Sequence, residues 1–182
     1  MPVTLLGGMS IHMTGKLILH DLSKEESSAC LPENSGNDTF FAAPGPIGSC
    51  IGCFACWIRT PGECVIKDES DEFRRMLPEH DTLVIISRCV YGGLSPDVKT
   101  VLERCLGVIL SPFFRVSGGE MHHLPRLKRL SALEYHFYGP EITDREKDIA
   151  TRLTAANALN MSVAEHKTFF HSSLSELKEM FT

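Results

Sequence analysis

The sequence predicts a doubly wound α/β domain built on a parallel sheet, and three observations carry that reading. Residues 82–87, TLVIIS, form a continuous β-branched run, the pattern of a strand buried on both faces. A capped helix follows it: Ser95 suits the N-cap, and Pro96 the first helical position, where its missing N–H costs nothing. Strand and helix signals then alternate from about residue 65 to the end, which argues for a sheet covered on both faces.

The elements follow in order. Residues 17–22, LILHDL, suit a first strand, and residues 23–38, rich in Ser, Glu, Asn and Gly with Pro32, read as a loop with at most one helical turn. Residues 39–41 suit a second short strand before the Pro44-Gly45-Pro46 loop. Ser70 is placed to cap a short helix bearing Phe73, Met76 and Leu77, stopped by Pro78. After the strand at 82–87, the helix from Pro96 carries Val98, Val101, Leu102, Cys105, Leu106 and Ile109 as one apolar stripe. Residues 111–130 read as a long basic connection with Pro112, Gly118-Gly119 and Pro125. Residues 133–138, LEYHFY, suit a strand, and Thr143 with Glu146 makes a capping box for a helix bearing Ile149, Leu153 and Ala156. A last strand falls within 161–170, and Ser173 opens a final helix with Leu174, Leu177 and Phe181.

The 182 residues are 43% hydrophobic and 23% charged, enough apolar content for a single domain spanning 1–182, with 1–15 irregular and 44–69 a cysteine-bearing loop. A net charge of −5 spread along the chain gives no footprint for nucleic acid or an anionic membrane. No run of ~18 apolar residues exists to span a bilayer. The start, MPVTLLGGMSIHMTGKLIL, lacks a basic region followed by an apolar leader, so a cytoplasmic protein is expected.

Seven cysteines are present, and four of them, Cys50, Cys53, Cys56 and Cys64, have the spacing C-x2-C-x2-C-x7-C. Thiolates three residues apart can converge on one centre, with a fourth closing the set from beyond the Pro61-Gly62 turn. Such a set suits an iron–sulfur cluster or tetrahedral zinc. Thiol redox chemistry is a further reading. So is simple packing, because Phe54 and Trp57 make the segment apolar. Cys30, Cys89 and Cys105 show no ligand spacing, and Cys105 lies on the apolar stripe.

In a doubly wound sheet the ligand sits beyond the carboxyl ends of the strands, at the switch point. The loops that fall there begin at Ser87 and Tyr138 and carry Gly92-Gly93 and Gly139. In Ser87-Arg88-Cys89-Val90-Tyr91-Gly92-Gly93, successive backbone N–H groups and glycines could hold a flat heterocycle or an anion, with Tyr91 stacked on the ring. The plainer alternative is a strand–helix turn with a packed tyrosine.

VYGGLSPDVKTVLER resembles the turn and following helix of flavodoxin-like proteins of the NAD(P)H-dependent FMN reductase group. CIGCFACWIRTPGECVIKDE resembles that group's cysteine loop, and GGEMHH a subgroup of it. The match sets Tyr91 and Gly92 on the group's aromatic-Gly pair, Lys99 on its helix Lys, and Glu103-Arg104 on its acidic-Arg pair. The resemblance implies a flavodoxin-like fold and FMN held by Ser87, Arg88, Cys89, Val90, Tyr91, Gly92, Gly93, Tyr138 and Gly139. It also implies hydride transfer from NAD(P)H, electron delivery to a small acceptor, and a homodimer or homotetramer. The cysteine spacing resembles that of the iron–sulfur flavoproteins, a branch of the same fold, which implies a four-iron cluster on Cys50, Cys53, Cys56 and Cys64. The group's Ser/Thr/Asn/Gly-rich phosphate loop is not matched: LILHDL leads into SKEESSACLPE, whose acids repel a phosphate unless a residue such as Arg88 neutralises it. Gly7-Gly8-Met9-Ser10 is too short to replace it.

No side chain stands out as a general acid, base or nucleophile, and hydride transfer to a flavin requires none. Glu120, His122 and His123 could join a metal site, although adjacent histidines rarely converge. His20 and Asp21 end a strand where ligands sit, and Arg126, Lys128 and Arg129 could meet a nucleotide phosphate or simply face solvent. Three functions follow: an FMN-dependent reductase, an iron–sulfur electron carrier, and a flavodoxin-like binding module that has lost its cofactor.

Overall fold

A computed structural model describes residues 15–32, 36–127 and 130–181. A five-stranded parallel sheet is formed by β1 (Lys16–His20), β2 (Thr39–Ala42), β3 (Thr82–Arg88), β6 (Ala132–Tyr138) and β7 (Glu165–His171), in the order β2-β1-β3-β6-β7. This is the flavodoxin order, with the direction of winding reversing between β1 and β3. The expected fold class is therefore the observed one.

Two apolar layers hold helices to the sheet. On one face Leu17, Leu19, Leu83, Ile85, Leu133, Tyr135 and Phe137 pack against α3 (Ser70–Met76), α4 (Pro96–Ile109) and α5 (Asp144–Met161). On the other, Ile18, Val84 and Ile86 pack with Leu22, Cys30 of α1 (Lys24–Cys30) and Leu177 of α6 (Leu174–Glu179). The β3 residues Leu83 through Ile86 are at most 1% exposed, so both faces of the run are buried. The α4 stripe is buried at Val98, Val101, Leu102, Cys105 and Ile109 as its spacing predicts, but Leu106, expected on the same stripe, lies at the surface. Capping also holds: Ser95 accepts from the Val98 N–H, and Thr143 with Glu146 forms a reciprocal capping box.

Three expectations need correction. Residues 23–38 are not merely loop, because Ser23 and Glu26 form a capping box that opens the two-turn helix α1. Ser70 is not a cap: it lies inside α3, and its N–H and hydroxyl both donate to Asp68 Oδ1, at 3.1 and 2.6 Å. Residues 111–130 are not a plain connection. Leu110–Ser117 (β4) and Glu120–Pro125 (β5) pair antiparallel as a hairpin. Its turn is Gly118-Gly119, with φ of 62° and 84°, a backbone that glycine adopts freely. The cysteine segment carries one short helix, α2 (Ala55–Ile58). Residues 1–14, with Gly7, Gly8, Met9 and Ser10, lie outside the described residues, as do Lys128 and Arg129.

Candidate functional site at the carboxyl ends of the strands

Three turns stand at the carboxyl ends of β1, β3 and β6, around the β1/β3 switch point. The first follows β1. The Asp21 Oδ2 accepts from the Arg88 backbone N–H at 2.9 Å, tying the end of β1 to the end of β3. Beyond Asp21 the Ser23 N–H donates to Glu26 Oε2 at 2.8 Å, and Ser23 Oγ accepts from the Glu26 N–H at 3.2 Å. Two carboxylates, those of Asp21 and Glu26, therefore take up the Arg88 and Ser23 amides.

The second turn follows β3. Ser87 is buried and faces inward, accepting the Ser95 N–H at 2.8 Å and donating to the Arg88 carbonyl at 3.0 Å, which locks α4 onto the strand. The Cys89 N–H donates to the Tyr138 carbonyl, and burial pushes the Cys89 thiol up. Val90 and Gly93 exchange both backbone hydrogen bonds across Tyr91 and Gly92. Both central residues have positive φ, 52° and 79°, the geometry of a type I′ turn. Gly92 is required there, because a Cβ would lie 2.7 Å from the Ile149 Cβ and 2.9 Å from the Glu146 carbonyl oxygen. Tyr91 has no such excuse. It holds a left-handed backbone that costs a bulky residue about 1 kcal/mol, yet its side chain is 88% exposed. An aromatic face is thus presented outward at the end of the central strand.

The third turn follows β6. The Tyr138 hydroxyl lies beside Asp21, and burial, followed by that carboxylate, pushes the phenol well above the usual tyrosine range. Glu26 adds to the effect and Arg88 opposes it, so the four groups share one electrostatic neighbourhood. The Gly139 N–H donates to the His171 carbonyl, and a cavity of about 230 Å³ opens beside it, walled by Gly139, Pro140, Ile142, Phe170 and His171. Behind the turns, His20, Ile86 and His136 are registered across β1, β3 and β6. Burial lowers His20 to about 4 and His136 to about 3. The His136 Nδ1 sits 3.0 Å from the His171 Nε2.

The cysteine loop forms a second centre, and one arginine organises it. Arg104 of α4 is 3% exposed, and its Nε donates to Cys64 Sγ at 3.2 Å. Its other nitrogens donate to the Gly48 carbonyl, to the Ile66 carbonyl at 2.7 Å, and to both Asp68 oxygens at 2.8 and 3.2 Å. Burial would raise the Asp68 carboxyl, but the Arg104 guanidinium and the Ser70 hydroxyl hold it well below the carboxylate range. One turn along α4, Gly107 lets the loop approach: a Cβ there would sit 2.6 Å from the Cys56 Cβ and 2.7 Å from its Sγ. Cys50 and Cys53 are exposed, while Cys56 and Cys64 are half-buried. Burial raises the Cys56 thiol, with Cys64, Cys50 and Cys53 all contributing, so the four sulfurs lie within electrostatic reach of one another. Among the described residues, no three His, Cys, Asp or Glu side chains are arranged to hold a metal ion. The donor set suits a cluster, and in this conformation it is not closed on one point.

The hairpin leans on this loop through Trp57, whose ring lies 4.6 Å from that of His123. His122 points the other way, its Nδ1 3.2 Å from Asn160 Oδ1, so the two histidines diverge as neighbours on a strand must. Cys105 is fully buried and pushed up to about 12 by burial. Cys30 is buried under α6. A larger apolar cavity of about 310 Å³ between α4 and α5 lies on the flank of the sheet, lined by Leu94, Leu102, Leu106, Leu153 and Met161.

No protein-family model matches the chain. Over 76 residues it is 33% identical to an iron–sulfur flavoprotein of Archaeoglobus fulgidus, a match covering 41% of this chain and 34% of that protein. It is 29% identical over 83 residues to an iron–sulfur flavoprotein of Methanocaldococcus jannaschii, covering 46% and 42% respectively. The chain therefore matches less than half the length of these curated relatives. Its backbone superposes on the NAD(P)H:quinone oxidoreductase of Methanothermobacter marburgensis with a TM-score of 0.58 at 11% identity, covering 92% of this chain and 93% of that one. General stress protein 14 of Treponema denticola, solved in complex with FMN, gives a TM-score of 0.52 at 14% identity, with coverage of 92% and 93%. The fold is flavodoxin-like, and the sequence similarity is to iron–sulfur flavoproteins.

A flavin ring and an FMN phosphate make different demands on this site. The exposed Tyr91 face and the open turn at Gly139 suit a flat ring. The β1 turn sets two like charges against a phosphate, because the Asp21 and Glu26 carboxylates take up the Arg88 and Ser23 amides.

Proposed function

We propose that this chain is a flavin-dependent oxidoreductase that takes electrons from NAD(P)H and delivers them to a small acceptor. The observation that carries this reading is Tyr91, an aromatic residue held strained and 88% exposed in the turn after the central strand β3. When bound, a flavin supplies hydride acceptance and onward electron transfer. The chain's own part is to orient the ring between Tyr91 and the Tyr138-Gly139 turn, to fix that gap through the bond between the Cys89 N–H and the Tyr138 carbonyl, and to keep the Tyr138 phenol protonated. No side chain needs to donate or accept a proton in the hydride step. A cytoplasmic setting and a homodimer or homotetramer belong to the same reading. Among the described residues, no helix is long and apolar enough to cross a membrane.

A second reading is favoured by the Arg104 clamp. Cys50, Cys53, Cys56 and Cys64 would hold an iron–sulfur cluster, with Arg104 donating to the sulfur of Cys64 and keeping the loop in register. Anaerobic purification tests both readings. Flavin absorbance that survives desalting and bleaches with NAD(P)H supports the first, and stoichiometric iron and sulfide support the second. Protein that stays colourless after incubation with flavin removes the first, and protein without iron and sulfide removes the second.

A further inference from the structure

Among the four thiols of the cysteine loop, Cys64 carries a buried cation on its sulfur. Cys50 and Cys53 are exposed, whereas the Cys64 Sγ accepts the Arg104 Nε–H at 3.2 Å from an arginine that is almost wholly buried. The direction of that donor is fixed. The other N–H groups of Arg104 go to the Gly48 carbonyl, the Ile66 carbonyl and both Asp68 oxygens, so the fork cannot turn from the sulfur without stranding buried partners. Asp68 is held in turn by the Gly48 N–H at 2.9 Å and by the Ser70 N–H and hydroxyl. A chain of fixed groups therefore runs from Ser70 in α3, through Asp68 and Arg104, to one candidate ligand. A donor on a ligating sulfur bonds more strongly as negative charge builds there, and so favours the reduced state of the group that sulfur holds. The guanidinium charge acts in the same sense, and the Asp68 carboxylate offsets part of it.

We infer that Arg104 sets the redox poise of an iron–sulfur cluster on Cys50, Cys53, Cys56 and Cys64, raising its reduction potential through the Cys64 sulfur while Asp68 moderates the effect. This rests on the cluster reading above and names the residue that tunes it. Arg104 is a positioning residue, since it meets a ligand sulfur and no iron. Reduction adds one electron and breaks no bond, and the Nε proton stays on the arginine. The two partners pull in opposite directions: losing the donor disfavours the reduced state, and losing the carboxylate favours it.

The test is an anaerobic redox titration of the full chain, loaded with iron and sulfide, reduced with dithionite and followed by EPR. Arg104→Lys keeps a positive charge and removes the Nε donor. It should shift the ratio of reduced to oxidised protein at a fixed potential roughly tenfold towards oxidised, a fall of about 59 mV for a one-electron couple. Asp68→Asn leaves the guanidinium charge unbalanced and should shift the ratio severalfold the other way. A purely structural clamp would lower the iron content of both variants and move neither potential. Should a variant fail to fold or to load, the wild type decides. Grown with isotopically labelled arginine and reduced, it should show hyperfine coupling to an arginine nitrogen by pulsed EPR. Unshifted potentials in variants that load, or no arginine coupling in the wild type, overturn the inference and leave the cluster reading standing. Wild-type protein that takes up no iron and sulfide overturns the cluster reading and this inference with it.

Discussion

The Arg104 Nε donates to the sulfur of Cys64 at 3.2 Å while the same guanidinium grips both oxygens of Asp68. A helix residue thereby fixes a loop whose own secondary structure is a single short helix. Removing the arginine strands Asp68, whose side chain is 12% exposed, as a charge without its partner. Arg104→Met should therefore cost about 3–5 kcal/mol, measured by chemical denaturation. Arg104→Lys should recover only part of this, because a lysine cannot span Cys64, Gly48, Ile66 and Asp68 together. Equal stability of wild type and Arg104→Met would mean that the clamp is ornamental.

Gly107 sets how closely the cysteine loop approaches α4. A methyl at this position meets backbone and Cβ atoms of Cys56, which cannot rotate away. Gly107→Ala should destabilise the protein by about 1–3 kcal/mol despite the better helix propensity of alanine. It should also speed protease cleavage within 44–69 under native conditions. A stabilised Gly107→Ala would show that the loop is not held at this distance.

Acid should weaken the fold through a buried histidine. Burial lowers His20 from 6.5 to about 4, so between these values the unfolded chain binds a proton that the folded chain refuses. Stability then falls as pH drops from 6.5 towards 4, with His20 contributing on the order of 3 kcal/mol to the fall. His20→Leu should flatten that part of the pH profile in denaturant titrations. An unchanged slope would mean that other groups govern it.

Tyr91 couples function to strain. Asparagine tolerates the left-handed conformation, and the exposed ring contributes little packing, so Tyr91→Asn should stabilise the chain by about 0.5–1 kcal/mol. The same change should weaken flavin binding, read as a higher dissociation constant beside a higher melting temperature. Loss of stability instead would show that the tyrosine is kept for packing.

Signals contained within one turn of chain were legible in the sequence. Ser95-Pro96 and the pair Thr143 and Glu146 mark their helices because a cap needs only residues three apart. The same signal at Ser23 and Glu26 is muted, since KEESSAC has no apolar stripe to announce a helix. The hairpin was hidden by Pro112 and the surrounding basic residues, although Gly118-Gly119 between Val116 and Met121 is a hairpin signature. Ser87 belongs to the predicted site segment, but its hydroxyl holds the N-cap of α4, a role fixed by a partner eight positions away. The partners of the residues that shape both centres are the least legible. Arg104 is marked by the acidic-Arg pair it matches, but its role shows only when the fold brings Asp68, 36 positions away, against it. Asp21 reads as a strand-ending acid until the register of β1 on β3 sets it on the Arg88 amide, 67 positions on.

The central claim is that the turns after β3 and β6 hold a flavin, and one anaerobic absorption spectrum tests it most directly. Protein incubated with riboflavin and FMN together, then desalted, should retain visible flavin absorbance near one equivalent per chain and lose it on addition of NAD(P)H. A colourless protein after the same treatment would contradict the account.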